Sequence, residues 1–338
     1  MELSFDLINS FLIHPYQGVD DSKLHKNIQL ISENFTKDRD QIKKYLESDE
    51  LVSAYTAFYF PTNFVKLRKL FELLPREIVE SFSDYDVIDV GSGPGTYAAA
   101  FLDYFPSFNN QLYLIESSSA MVKQAQKLLS GLKHEFKNLK INKQVSGEKK
   151  RLMIFGNSLN EMGADQAINL IESNKVSVVI FIEPGTPQAF AQILPARDSL
   201  ISKKFQILYP CPGHENCPIK NTENWCHQIF YKVHHGSIES LSQIIKKDRR
   251  TLPVLAHVYS KDHCGNVQAT LFRVLEETKF SFNFEVCVGD KIQKIEVMKK
   301  DYDKSQQKNI AGFLAGKKVN YIVLKEFSNV ERVKLTLG

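Results

Sequence analysis

Asp89-Val-Gly-Ser-Gly-Pro-Gly95 is the stretch on which the fold turns. It follows a short apolar run, Tyr85-Asp-Val-Ile-Asp-Val90, and precedes a helical pattern over Thr96 to Tyr104. Three glycines there let the backbone turn sharply and approach a ligand closely. A strand, a glycine-rich turn and a helix in that order read as a cradle for an adenosine-containing cofactor.

Working outward, strands and helices alternate. Gln111-Leu-Tyr-Leu-Ile-Glu116 is a second strand, followed by a helix from Met121 to Leu132. Arg151 to Phe155 is a third strand, Ala164 to Glu172 a helix, Val176 to Ile182 a fourth strand, Phe190 to Ser202 a helix, and Phe205 to Tyr209 a fifth strand. Continuous apolar, β-branched runs are what strands buried on both faces require. The alternation predicts an α/β fold with a doubly wound sheet.

Before the core, residues 1–80 read as a helical N-terminal region. Asp38 to Leu46 and Phe64 to Leu74 carry apolar residues at helical spacing. Pro61 is expected just before the second helix, with Thr62 as its cap. The core itself is placed at 81–209, a cysteine-rich segment with a possible late core strand (Pro253 to Tyr259) at 210–265, and a β-rich C-terminal region at 266–338. In that last region Val267 to Glu277 reads as helical. Phe280 to Val288, Lys291 to Met298 and Tyr321 to Leu335 read as strands, and Lys299 to Lys308 as an exposed connection.

A dinucleotide fingerprint would carry its third glycine at position 96, where this chain has Thr96. The spacing present, with Asp89 two residues ahead of Gly91, resembles the first motif of class I S-adenosylmethionine-dependent methyltransferases. That resemblance implies a Rossmann-like core whose backbone at Gly91, Ser92, Gly93 and Gly95 faces the methionine part of the cofactor. Asp89 would organise its ammonium group. Glu116 ends the second strand, where a carboxylate can accept both ribose hydroxyls. Asn157 and Ser158, after the third strand, are candidates for the adenine edge. Glu183, after the fourth strand, is the sole candidate for a catalytic base, with a pocket-shaping role as the alternative. The Asp- or Asn-Pro-Pro-aromatic signature of enzymes that methylate exocyclic base nitrogens is missing here, where the chain reads Glu183-Pro-Gly-Thr-Pro187.

The second chemistry lies beyond the fifth strand. Cys211, Cys217 and Cys226 fall within sixteen residues, and prolines follow the first two. Thiolates so spaced can converge on an ion, with His214, His227, Cys264 or Cys287 completing four ligands. Donor softness alone leaves zinc and iron–sulfur both open. Five cysteines in 338 residues are too few for a disulfide scaffold and fit a reducing compartment.

Three stretches together resemble the methyltransferase-like family associated with assembly of the small mitochondrial ribosomal subunit, which has bacterial members. They are Asp89 to Thr96, Ile182-Glu-Pro-Gly-Thr-Pro-Gln-Ala-Phe190 running on to Pro195-Ala-Arg-Asp-Ser-Leu200, and Pro210-Cys-Pro212 with Cys217-Pro218 and Trp225-Cys-His227. The likeness spans roughly residues 50 to 300. It implies a four-iron, four-sulfur (4Fe-4S) cluster on Cys211, Cys217, Cys226 and Cys287, the last in Phe284-Glu-Val-Cys287-Val-Gly-Asp290, so that the C-terminal region closes the metal site. Gly213 stands where the family usually has histidine.

The resemblance also implies action on the small ribosomal subunit or its RNA, either as a methyltransferase or as a non-catalytic iron–sulfur assembly factor. Methylation of a protein or small molecule is the third reading. Hydrophobic residues at 43%, charged residues at 24% and a net charge of +4 suit a mildly basic globular protein. They permit nucleic-acid binding without demanding it. Lys203, Lys204, Lys220, Lys232, Lys246, Lys247, Arg249 and Arg250 are candidates for a phosphate-facing field. The start of the chain does not read as a secretion signal, and no run of apolar residues suits a membrane span. A cytoplasmic, bacterial-type protein acting as a monomer, with no membrane partner, is expected.

Overall fold

The computed structural model describes residues 2–37, 47–131, 138–213, 216–265 and 267–336. They form two units. One comprises Met1–Glu72, Arg76–Ser158 and Tyr231–Leu252, the other Leu73–Pro75, Leu159–Phe230 and Pro253–Gly338.

In the first unit the strands form where the apolar runs predict them. β1 (Asp86–Val90) is buried throughout and pairs in parallel with β2 (Leu112–Ile115) on one side and β4 (Arg151–Gly156) on the other. A three-residue strand the sequence reading missed, β3 (Leu139–Ile141), adds in parallel to β2. The order β3-β2-β1-β4 reverses direction between β1 and β4. That reversal is a topological switch point, and ligands of open α/β sheets bind beyond the carboxyl ends of the strands there. The glycine turn leaves β1 at this place, and Asn157-Ser158 leaves β4.

Helices Phe5–Ser10, Ser22–Lys37, Asp49–Glu72 and Arg76–Ser81 make up the N-terminal region. Pro61 does not precede the third of these but lies inside it. The expectation failed because Asp49–Glu72 buries residues around most of its circumference, Val52, Phe58, Phe64, Lys66 and Phe71 among them. Packing outweighs the backbone hydrogen bond that proline removes. Phe71 meets Phe82, Phe101, Tyr104 and Phe105 with ring centres 5.0 to 6.3 Å apart. This aromatic cluster anchors the helix beside Thr96–Tyr104, the helix that follows the glycine turn. The helix expected over Asp38 to Leu46 lies outside the described residues. Arg249 belongs to this unit's core, not to a phosphate-facing surface. It is buried, its guanidinium sits 4.0 Å from the centre of the Phe58 ring, and it donates to the Ser242 hydroxyl at 3.0 Å.

In the second unit β5 (Val178–Pro184) and β6 (Gln206–Tyr209) flank β8 (Thr251–Ser260), which runs antiparallel to both. The late strand anticipated over Pro253 to Tyr259 is this reversed central strand, and β7 (Gln228–Tyr231) also pairs with it. Thr186 caps helix Pro187–Ser202 by accepting from the Ala189 N–H, and Pro187 opens the helix where a missing N–H costs nothing.

The C-terminal strands β9 (Ala269–Val274), β10 (Ser281–Val288), β11 (Lys291–Met298), β12 (Lys318–Glu326) and β13 (Glu331–Thr336) close into a barrel, ordered β10-β11-β13-β12-β9. Phe282, Phe284, Val286, Ile295, Val297 and Val333 fill its interior. Two expectations are corrected. The stretch expected as a helix from Val267 contains β9, because Ala-Thr-Leu-Phe-Arg-Val pairs with both β10 and β12. The stretch Lys299 to Lys308 is not a plain connection. It holds a 3₁₀ turn and the start of helix Lys304–Ala311, whose capping box joins Asp303 and Gln306.

Candidate functional site

The turn after β1 is shaped by contact and by backbone angle. Gly91 has φ of +64°, and a Cβ added to it would stand 2.7 Å from the Cβ of Ser158. The loops leaving β1 and β4 therefore touch at a distance only glycine permits. Gly93 also has positive φ, +53°, but a Cβ there would meet nothing within 4 Å. Its open side is room for a ligand against bare backbone. Gly95 precedes the first turn of helix Thr96–Tyr104. That helix N-terminus, with its unsatisfied N–H groups, favours negative charge nearby.

Asp89 lies beneath the turn and is fully buried. One carboxylate oxygen accepts from the Ala98 N–H at 3.1 Å, and the other, Oδ1, has no hydrogen-bond partner. Burial pushes its pKa up to about 7, the Ala98 N–H opposes the rise, and the charge of Glu116 adds to it. The hydroxyls of Ser92 and Ser158 are likewise buried without a hydrogen-bond partner. Buried polar atoms are nearly always paired, so three such atoms around one turn mark a place where a ligand completes the bonding.

Glu116 stands at the end of β2. Its Oε2 accepts from the Gly93 N–H at 2.9 Å and its Oε1 from the Ser118 N–H at 2.8 Å. The carboxylate thus reaches across to the glycine turn and keeps further lone pairs for a diol. Asn157 adopts positive φ, +59°, and its amide donates to the Tyr97 hydroxyl at 3.2 Å. Tyr97 is a site neighbour that sequence reading missed. Its ring lies so close to Gly156 that an added Cβ would fall 1.9 Å from it. The structure therefore gathers Asp89, Gly91, Ser92, Gly93, Gly95, Glu116, Asn157 and Ser158 at the carboxyl ends of β1, β2 and β4. The donors, the acceptors and the open cradle fit S-adenosylmethionine. Its ammonium would suit the unpartnered Asp89 oxygen and its ribose the Glu116 carboxylate.

The arrangement carries a pH dependence with a definite sign. In the ligand-free protein Asp89 binds its proton up to about pH 7, whereas its unperturbed value is 3.8. The contribution of this group to stability is present below the lower value and lost as pH rises through the higher one. A cationic ligand group beside Asp89 prefers the ionised form, so binding releases a proton. Affinity for S-adenosylmethionine is expected to rise by up to about tenfold per pH unit between about pH 5 and pH 7, then level off. Calorimetric titration across that range checks it, and Asp89→Asn should flatten the slope.

Glu183, in the second unit, is fully buried, and its Oε1 accepts from the Leu159 N–H at 2.7 Å. It fixes the start of helix Leu159–Met162. Nearby, the Trp225 indole N–H donates to the Gly185 carbonyl at 3.2 Å, tying the cysteine segment to the loop after β5. His227 stacks on Trp225.

Four of the five cysteines share one neighbourhood of the second unit. Burial raises the Cys226 thiol well above its ordinary range, and the charges of Cys211, Cys287 and Cys217 raise it further. Burial also raises Cys211, while the Arg197 guanidinium opposes this through its charge and a hydrogen bond. Arg197, itself buried, was overlooked as a site residue, although it lies in the stretch Pro195 to Leu200 that carried the family likeness. Cys264 is exposed. His214 lies outside the described residues. Among the described residues, no three His, Cys, Asp or Glu side chains stand in metal-ligating geometry. The thiols are electrostatic neighbours without being drawn into a coordination shell.

Comparison with known proteins adds the family. No curated protein sequence matches the chain. Among solved structures, magnesium protoporphyrin IX methyltransferase from Synechocystis PCC 6803 with bound SAM is similar at 11% identity, with a TM-score of 0.38 over 70% of this chain and 97% of that one. A SAM-dependent methyltransferase from Aquifex aeolicus is similar at 18% identity, with a TM-score of 0.31 over 45% of this chain and 93% of that one. The methyltransferase domain of bacterial CtHen1-C is similar at 13% identity, with a TM-score of 0.36 over 60% and 99%. The strand order and the glycine turn, not these likenesses, carry the methyltransferase-like fold. The family description that matches covers residues 49–304, three quarters of the chain, including the glycine turn and the clustered cysteines. The chain belongs to the family described as mitochondrial small ribosomal subunit Rsm22.

Proposed function

We propose that this protein binds S-adenosylmethionine and acts on the small ribosomal subunit or its RNA, as a monomer in a bacterial-type cytoplasm. The observation that carries the cofactor is the unpartnered oxygen of buried Asp89 beneath the open Gly93 turn. The family description supports the ribosomal target. When bound, the cofactor supplies a methyl group on a positively charged sulfur. The chain's part is to hold the ammonium at Asp89 and the ribose at Glu116, and to exclude water around the turn.

The non-catalytic reading has its own observation. Glu183, the one candidate base, is fully buried and already accepts from the Leu159 N–H at 2.7 Å. A protein that binds the cofactor and grips RNA without transferring the methyl group needs no such base.

In either case the proposed metal rests on the chemistry of the four thiols and not on a preformed coordination geometry. Cys211, Cys217, Cys226 and Cys287 offer four soft donors; burial favours the protonated thiols of Cys226 and Cys211, and the Arg197 guanidinium opposes this at Cys211, where a metal would need the thiolate. An all-thiol set suits a four-iron, four-sulfur cluster in a bracing role, with zinc as the alternative. Calorimetric titration with S-adenosylmethionine tests the cofactor reading, and absence of binding at high protein concentration would overturn it. Crosslinking to cellular RNA tests the target. Specific small-subunit contacts without methyl transfer would select the assembly-factor reading.

A further inference from the structure

The C-terminal barrel has a topology of its own. Counted from its first strand, β9, β10 and β11 form an antiparallel meander. Helix Lys304–Ala311 follows, then the hairpin β12–β13. Closure comes from β12 pairing antiparallel with β9 and from β13 pairing in parallel with β11. A meander, a helix and a hairpin joined in that way are the plan of the OB-fold. Such barrels bind oligonucleotides or oligosaccharides on the face of strands two and three, gripped by the loop between strands one and two and the loop between strands four and five.

Both corresponding loops carry an exposed aromatic ring backed by cations. Phe280, in the loop between β9 and β10, is 65% exposed, with the Lys279 ammonium 5.6 Å from its ring centre. Phe327, in the loop between β12 and β13, is 44% exposed, with Lys325 at 5.0 Å and Arg332 at 5.3 Å. Burying such rings would have been favourable, yet the barrel core closes without them. Lys291 and Lys294 are exposed on β11, the third strand.

Charge selects the ligand class. Between residues 269 and 336 there are thirteen lysines and arginines against nine aspartates and glutamates. This excess equals the net charge of the whole chain, +4, so the rest of the molecule is balanced. A polyanion is therefore drawn to this part of the surface. Exposed rings flanked by cations offer stacking platforms for unpaired bases and charge for phosphates, whereas paired bases hide their faces.

We propose that the barrel is a binding site for single-stranded RNA, with Phe280 and Phe327 stacking bases and Lys279 and Lys325 meeting phosphates, while Arg332 stays paired with Glu296 at 2.8 Å behind the Phe327 ring. The barrel belongs to the second unit and the glycine turn to the first. The RNA site rests on the small-subunit reading only for where the RNA comes from.

Fluorescence anisotropy of the full-length protein with a labelled uridine-rich single strand provides the test. Each of Phe280→Ala and Phe327→Ala is expected to weaken binding about tenfold, and the double variant more, with stronger losses at raised salt. Both rings are exposed, so the thermal melting of the variants should match that of the parent. The proposal is overturned if the double variant binds the strand as well as the parent does. It is also overturned if an RNA duplex of equal length binds as tightly, or if a neutral oligosaccharide displaces the strand. S-adenosylmethionine titration of the same double variant should be unchanged. A parent protein that binds the strand but not the cofactor would remove the cofactor-binding proposal and leave this one standing.

Discussion

Gly91→Ala should lose S-adenosylmethionine binding by at least about tenfold while the rest of the protein stays folded. Two costs add. An alanine held at positive φ pays roughly 1–2 kcal/mol against its preferred conformations. Its Cβ would also lie 2.7 Å from the Ser158 Cβ, a separation side chains do not tolerate. The cheapest relief is to move the turn or the loop after β4, and both are parts of the cradle. The strands β1 and β4 remain paired at five positions, so the sheet need not follow. Calorimetric titration measures the affinity and thermal melting the fold. Undiminished affinity with unchanged melting would show that the cofactor does not lie against this turn.

Cys226→Ser should abolish metal retention, whereas Cys264→Ser should leave it intact. Cys226 is the thiol on which the charges of Cys211, Cys217 and Cys287 all act, and Cys264 stands exposed. A hydroxyl in place of the Cys226 sulfur removes a soft ligand from a set of four. Anaerobic purification with iron, sulfide and zinc assays distinguishes the cases. Four iron and four sulfide per chain in the parent and in Cys264→Ser, with almost none in Cys226→Ser, is the expected result. Stoichiometric zinc without iron would replace the cluster reading. Equal metal in both variants would overturn the ligand set. Arg197→Met adds a finer readout, because loss of the cation beside Cys211 raises that thiol and shifts metal uptake to higher pH.

The core was legible because its signals are local. β1, β4 and β5 are short apolar runs bounded by turn residues, and the glycine turn sits between a run of period-free burial and a helix. What escaped was set by distant partners. Ala269 to Val274 is too short for periodicity to separate strand from helix, and its state was decided by β10 and β12. Leu139 to Ile141 has only three residues, none fully buried, and pairs only at the edge of β2. Pro61 misled because local sequence carries no record of the core that surrounds its helix. The capping box of Asp303 and Gln306 was readable and was passed over within a charged stretch.

The candidate site divides in the same way. Asp89, Glu116 and the glycines follow from their place at the carboxyl ends of strands. Tyr97 and Arg197 became visible only when the chain had brought Gly156 and Cys211 to them.

The reversed strand β8 also sets a timetable. β6 pairs with β8, which begins some forty residues later in the chain. During synthesis the chain emerges from its amino end, so β6 must wait with an open edge while the whole cysteine segment is made. Cys287 is later still, on β10. If all four thiols hold the proposed cluster, it would be loaded only once the barrel strands have been made, and metal insertion would come late in biogenesis.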